Sequence, residues 1–381
     1  MSRLLLALAF IGYIALGLPD ALIGVAWPAM RRDFAVPLGA LGALYVSSTL
    51  GYVLSSAATG ALLARIGLGT LLSGSCALTG MALLGYTVSP SWPVLVALGV
   101  FVGFGGGAID AAINTHAAIH YATRLLNVLH AFYGIGAALG PALMTAVLVR
   151  GHDWRYGYGW VIAFELALAI AFALTRREWS APLAHQAHRQ TASWLATLRL
   201  PRAQLSLAVF FIYTGCEAAA AAWAFSLLLE ARGLTTIAAG TAVSCYWSGL
   251  FASRLGYALL PADTRPERVT TICIIVAILA AGLVTLHLNA MLDIVAFTLL
   301  GFASGPIFPC MIAMTPARLG PDHTANAVGA QVAAAAVGLA CLPALCGLLA
   351  QHSGLESIPL FLLGCWLLLL IAYRAFLGSR L

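Results

Sequence analysis

The apolar positions of this chain fall into long unbroken runs, set apart by short polar breaks that carry most of the arginines. A helix needs about 20 residues to cross a bilayer. Runs of that kind cover Leu4–Pro28, Leu38–Leu63, Thr70–Val88, Trp92–Ile119, Leu126–Val149 and Trp160–Leu174. A second set covers Leu205–Leu229, Ile237–Leu260, Val269–Leu286, Met291–Met314, Ala325–Leu349 and Ile358–Phe376. The pattern predicts twelve membrane helices, the sixth being the shortest. A membrane β-barrel would show short segments of alternating polarity instead. The first run follows Arg3 as a signal peptide would, but it continues past Asp20 to Pro28 and reads as a retained helix.

Composition narrows the class. Of the 381 residues, 62% are hydrophobic and 8% charged, whereas a soluble domain carries roughly 25% charged residues. A water-soluble globule and a disordered chain are both excluded, which leaves an all-α membrane protein with the lipid bilayer as its main partner. The 19 basic residues are all arginine, against 13 acids. They stand singly or in adjacent pairs between apolar runs rather than on one basic face, so no nucleic-acid partner is expected. With the N-terminus in the cytoplasm, Arg3, Arg65, Arg124, Arg176, Arg177, Arg189, Arg199, Arg202, Arg254, Arg265, Arg268, Arg318, Arg374 and Arg380 fall inside. Arg31, Arg32, Arg150, Arg155 and Arg232 fall outside, and this fourteen-to-five bias places both termini in the cytoplasm. The polar stretch Thr175–Arg202, with His185, His188 and Arg189, divides the chain. The expected organisation is a six-helix bundle over 1–178, a cytoplasmic linker over 179–202 and a second bundle over 203–381.

The two halves repeat one another. Gly60-x4-Arg65-x-Gly67 ends the second helix and Gly249-x4-Arg254-x-Gly256 ends the eighth. Gly103-Phe104, Gly107 and Ile109 return as Gly301-Phe302, Gly305 and Ile307, at a constant offset of 198. Gly136-x4-Pro141 returns as Gly338-x4-Pro343. Two parallel six-helix repeats across a linker are what a rocking transporter requires.

These features resemble the major facilitator superfamily, with its two pseudo-symmetric six-helix bundles. The turn at Arg65 departs from the family's G-x-x-x-D-R-x-G-R pattern, since Ala64 stands for the acid and Leu68-Gly69 for the trailing basic residues. Further stretches are similar to the fucose:proton symporter family: Gly17-Leu-Pro-Asp20, Gly24-Val-Ala-Trp27-Pro28, the run from Gly103 through Asp110 to Asn114, Asn127-Val-Leu-His130 through Gly134, Tyr213-x-Gly215-x-Glu217, and Gly305-Pro306-Ile-Phe308-Pro309. The resemblance implies a monomeric secondary transporter of the bacterial inner membrane that moves a sugar or polyol with protons. It also implies that carboxylates on the first and fourth helices, here Asp20 and Asp110, take part in coupling.

Five acids lie within predicted spans: Asp20, Asp110, Glu165, Glu217 and Asp293. Each costs a few kcal/mol at bilayer depth and needs a partner, a wet cavity or a proton. Asp20, Asp110 and Glu217 are the expected proton-coupling residues, whereas Glu165 and Asp293 read as acids that bridge helices. At about 1.5 Å per residue, Asp20 lies roughly 24 Å and Asp110 roughly 14 Å from the cytoplasmic ends of their helices, which suits two separate stations. Asn114 lies four residues from Asp110, and Tyr213 four from Glu217, so each pair shares a helical face. Asn114, Tyr213, Trp247, Gln331, His130, Trp27 and Phe308 are the candidate solute contacts; Phe308 is the repeat counterpart of Asp110.

No catalytic centre, cofactor site or metal site is expected. Gly103-x-Gly105-x-x-Ala108 follows no strand, His116 and His120 lack a third ligand, and the eight cysteines lie singly in apolar runs. The rival reading is a proton-driven exporter of hydrophobic compounds, because Gly136-x-x-x-Gly140-Pro141 resembles the antiporter motif.

Overall fold

The computed structural model describes residues 3–120, 123–179, 193–261 and 263–379. The first half holds α1 (Arg3–Asp33), α2 (Leu41–Ile66), α3 (Leu68–Thr87), α4 (Trp92–His120), α5 (Thr123–Val149) and α6 (Trp154–Thr175). A short α7 (Trp194–Arg199) leads into the second half: α8 (Pro201–Ser226), α9 (Thr236–Ala258), α10 (Pro266–Leu286), α11 (Ala290–Ser304), α12 (Ile307–Leu319), α13 (Pro321–Ser353) and α14 (Ser357–Gly378). Among the described residues, eleven spans are long and apolar enough to cross a membrane. The twelfth crossing is α9, which is as long but carries Ser244, Ser248, Ser253 and Arg254. The middle of the expected linker, 180–192, with His185, His188 and Arg189, lies outside the described residues. Beyond it, the Thr197 hydroxyl of α7 sits 2.9 Å from His323 Nδ1 at the start of α13.

Two expectations change. The sixth helix begins at Trp154, not Trp160, and runs 22 residues. Arg155 looks like a loop residue in sequence, yet its guanidinium lies 4.4 Å over the Trp154 ring and bonds Asp33 and Asp153. Its charge is thereby satisfied at the helix end. The span expected as Met291–Met314 is broken at Gly305–Pro306, where α11 stops and α12 begins. Pro306 and Pro309 have no N–H, so the helix ladder loses two donors within one turn.

Within each half the helices cross backbone to backbone at glycines. A Cβ on Gly51 of α2 would stand 1.9 Å from the Val100 carbonyl oxygen of α4, and one on Gly103 1.7 Å from that of Ser48. At the offset of 198, a Cβ on Gly249 would stand 2.6 Å from the Thr298 oxygen and one on Gly301 1.9 Å from that of Tyr246. The α1–α5 and α8–α13 crossings repeat the device with Gly17 against Tyr133 and Gly215 against Gly338. The repeat read in sequence is a repeat of crossings, which small residues permit.

The halves meet at the end that carries the α1 C-terminus. There Arg31 pairs with Glu230 at 3.0 Å, the Gly39 N–H donates to Gln351 Oε1 at 3.0 Å, and Gly42 packs on Ala344. Close by, Arg232 binds Asp293 at 2.8 Å and Glu356 at 2.9 Å, and holds the Glu356 carboxyl below the usual carboxylate range. That bridge stabilises the fold at neutral pH and is lost as pH falls through the lowered value.

Two measurements check this architecture. Gly103→Ala and Gly301→Ala are expected to lower the thermal midpoint in detergent, each by overpacking worth roughly 1–3 kcal/mol. Gly60→Ala, with nothing within 4 Å of the added Cβ, is expected not to. A topology reporter inserted within 184–191 is expected to report cytoplasm; activity on the far side would refute the predicted orientation.

Candidate functional site

The crossing at Gly51 and Gly103 sets the first cluster. It puts Tyr52, one residue past Gly51, against Asp110 of α4, and the Tyr52 hydroxyl donates to Asp110 Oδ2 at 2.5 Å. Asn114, one turn on, donates to Asp110 Oδ1 at 2.9 Å. Its own Oδ1 accepts from Tyr13 of α1 at 2.8 Å, and His130 of α5 stands edge-on to Tyr13 at 5.0 Å. Both oxygens of Asp110 therefore hold a donor, and Asn114 is already turned towards protein on both sides.

Asp20 is placed differently. It accepts from the Tyr133 hydroxyl of α5 at 3.2 Å, and it is exposed although it lies in the middle of a largely buried helix. The Tyr133 ring meets Trp247 of the second half at 6.2 Å, so this carboxylate faces the space between the halves. Asp20 and Asp110 bond different tyrosines, Tyr133 and Tyr52.

The second half builds its cluster on the broken span. Pro309 cannot donate to the carbonyl four residues back, and the freed Gly305 oxygen accepts from Arg254 Nε at 3.2 Å. The same guanidinium lies 3.8 Å from Glu217. The Tyr213 hydroxyl donates to Glu217 and stands 2.9 Å from the Ser304 carbonyl oxygen, while Tyr246 donates to the Glu217 carbonyl at 2.9 Å. Irregular backbone at membrane depth is thus satisfied by side chains, as the bilayer demands.

Arg254 is a correction to the sequence reading, which placed it near the end of the eighth helix and counted it only among the cytoplasmic arginines. Its repeat partner Arg65 is exposed at the end of α2, but α9 continues to Ala258 and turns Arg254 inward. The sequence signal was Pro309, which strips a donor from Gly305. Tyr13, Tyr52 and Tyr133 were also missed; Tyr52 follows a crossing glycine, and Tyr133 stands within the stretch from Asn127 to Gly134.

The remaining candidates separate. Trp247 is 6% exposed, and its indole N–H has no protein partner. Trp27 is fully buried against Trp92, with ring centroids 5.2 Å apart, and packs in the core. Gln331 is fully buried and donates to Ser206 and Thr315, each at 3.1 Å, so it braces α13 to α8 and α12 rather than lining the central space. Phe308, at the start of α12, packs edge-on against Phe210 at 5.1 Å. Asp293 bridges elements as expected, though as the ionic partner of Arg232. Among the described residues no group of three or more side chains suits a metal ion.

Two related halves of membrane helices closed around a buried polar cluster are the build of an integral membrane transporter. The chain matches the Major Facilitator Superfamily over residues 9–340 and belongs to that family. Curated relatives include the yeast Saccharomyces cerevisiae "Bypass of stop codon protein 6", 22% identical and covering 97% of this chain and 80% of that one. The MFS-type transporter YfkL of Bacillus subtilis is 25% identical over 92% of this chain and 90% of its own. Among solved structures, a mutant of the nucleoside transporter NupG matches with a TM-score of 0.80 at 15% identity, over 98% of this chain and 100% of that one. The E. coli fucose:proton symporter FucP matches with a TM-score of 0.65 at 16% identity, over 100% and 99%. At these identities the structures share the fold.

Arg254→Ala leaves the Gly305 carbonyl without its donor and Glu217 without its cationic neighbour, a loss worth roughly 1–3 kcal/mol. The single variant is expected to melt lower than wild type, and Glu217→Gln added to it to recover part of the loss. A double variant no more stable than the single one would show that the two side chains do not act as a pair. Gln331→Ala is likewise expected to lower the melting point while leaving solute affinity unchanged.

Proposed function

We infer that this transporter is a proton-coupled alternating-access carrier of a small hydroxylated solute, of the sugar or polyol class. The observation that carries the reading is Asp20: a carboxylate in the middle of a membrane helix, exposed between the halves and held by one long hydrogen bond. An acid so placed can gain and lose a proton at little structural cost, whereas Asp110 is engaged on both oxygens. Beside Asp20, the unpartnered Trp247 indole N–H and the Tyr133 ring offer a donor and an apolar face to a solute. Asn114, Tyr213 and His130 support the site from behind by holding Asp110, Glu217 and Tyr13. The cytoplasmic termini and a bacterial inner membrane fit the arginine distribution.

The rival exporter loses its sequence support. A Cβ on Gly136 would stand 2.1 Å from the Ile14 carbonyl oxygen and one on Gly140 2.6 Å from that of Leu18. The antiporter-like run is accounted for by the α1–α5 crossing.

Reconstituted vesicles test the reading. Asp20→Asn is expected to bind solute and exchange it down a gradient but to lose accumulation driven by an imposed pH gradient, since alternating access itself does not need the proton. Asp110→Asn is expected to weaken both, because an amide cannot accept on both oxygens. Uphill uptake that survives in Asp20→Asn would remove this residue from coupling. A thermal-shift screen of sugars, polyols and nucleosides identifies the solute; stabilisation by hydrophobic amines alone would favour the exporter.

A further inference from the structure

The glycine-arginine motif pairs Arg254 with Arg65, but the helix crossings pair it with Ser56. At the offset of 198, Gly51 corresponds to Gly249, Ser55 to Ser253 and Gly107 to Gly305. Ser55 and Ser253 each bond the carbonyl three residues back, that of Tyr52 at 3.1 Å and that of Leu250 at 3.0 Å. The Ser56 hydroxyl then donates to the Gly107 oxygen at 3.4 Å, where Arg254 Nε donates to the Gly305 oxygen at 3.2 Å. A serine hydroxyl is thus enough for the contact that this crossing needs. The rest of the guanidinium is surplus to it.

That surplus faces the first half. Trp247, Phe251 and Arg254 are four and then three residues apart, which makes one stripe along α9. Across the stripe, the Tyr133 ring meets Trp247, and a Cβ on Gly134 would stand 2.9 Å from Phe251. Arg254 keeps 18% of its side chain exposed and Glu217 keeps 15%. Among the described residues, the guanidinium beyond Nε reaches one further bonding partner, the Tyr213 hydroxyl, which itself donates to Glu217 Oε2. Nothing among them bonds Glu217 Oε1, which stands 3.8 Å from Arg254 Nη2 and so outside hydrogen-bond range. Spare donors and a spare acceptor therefore stand side by side at membrane depth, where polar groups need partners.

A hydroxyl both donates and accepts. Two adjacent hydroxyls can accept from Arg254 with one oxygen and donate to Glu217 Oε1 with the other. A carboxylate laid on the guanidinium would instead lie against the Glu217 carboxylate and be repelled. We propose that Arg254 and Glu217 form a subsite for two adjacent hydroxyls of a neutral solute, and that Arg254 selects for them. Glu217 is then a solute ligand rather than a carrier of the coupling proton. The proposal rests on the hydroxylated-solute reading of the central space, and not on the role of Asp20 in coupling.

The test measures binding by thermal shift on purified protein, without a gradient. The probes are pentoses, hexoses and alditols, then the monodeoxy analogues and the uronate of the tightest binder, with uracil as an amide-edged control. Wild type is expected to reject the uronate. It is also expected to bind the analogues lacking one of an adjacent hydroxyl pair roughly tenfold or more weakly, as a hydrogen bond to a charged group requires. Arg254→Ser keeps the kind of donor that Ser56 supplies at Gly107, and is expected to narrow that ratio several-fold. A purely structural role would weaken the parent sugar and its deoxy analogues by the same factor, and that result would overturn the proposal. If the single variant does not fold, Arg254→Ser with Glu217→Gln carries the same comparison without an unpaired acid. Binding of uracil or the uronate alone, or of no sugar or alditol, also overturns it. Failure of the coupling reading shows separately, because uphill uptake by Asp20→Asn leaves these binding ratios unchanged.

Discussion

The arrangement depends on helices that touch backbone to backbone. Lipid tails are as apolar as leucine, so membrane helices gain little by burying apolar faces and must find close contact instead. Gly51 and Gly103 supply it in the first half, and Gly249 and Gly301 in the second. Because these crossings fix the depth and rotation of α2 against α4 and of α9 against α11, they also decide which side chains reach the centre. Tyr52 follows one crossing glycine and meets Asp110; Arg254 follows another by five residues and meets Gly305 and Glu217.

From this shared frame the halves diverge in chemistry. In the first, α4 runs unbroken past Gly107, and the acid is a side chain held by phenol and amide donors. In the second, the equivalent helix is interrupted, phenylalanine stands where the acid would be, and the acceptors are the Glu217 carboxylate and a carbonyl oxygen freed by proline. One cluster therefore sets its acid among neutral donors, and the other gathers an acid, Glu217, and a freed carbonyl around a guanidinium. That is an asymmetry built on a symmetric scaffold.

Much of this was legible in the sequence. Twelve helices, two halves and their glycine punctuation follow from hydropathy and spacing, because bilayer thickness and backbone approach constrain length and residue size directly. Asp20, Asp110 and Glu217 follow because an acid in an apolar run is conspicuous. Arg254 does not, since an arginine near the cytoplasmic end of a predicted helix reads as an orientation signal, and spacing alone does not show that it turns inward to Gly305 and Glu217. The brace role of Gln331 and the burial of Trp27 depend on which face of a helix meets a neighbour, and α13 and α1 are apolar nearly all round. Short runs mislead as well: Arg155 shortened the sixth helix on paper because its ion partners, Asp33 and Asp153, were not visible as such.

The Arg31–Glu230 bridge carries a consequence of a different kind. Both side chains are about a quarter exposed, so this one of the several contacts between the halves lies within reach of the bathing solution. Mobile ions screen such a pair over a Debye length of about 10 Å at 0.1 M salt, but hardly reach partners shielded from water. Ionic strength on that side therefore loosens the tie without touching the acids at the centre. The strength of that one contact becomes a function of the salinity it faces, while the clusters at the centre keep theirs.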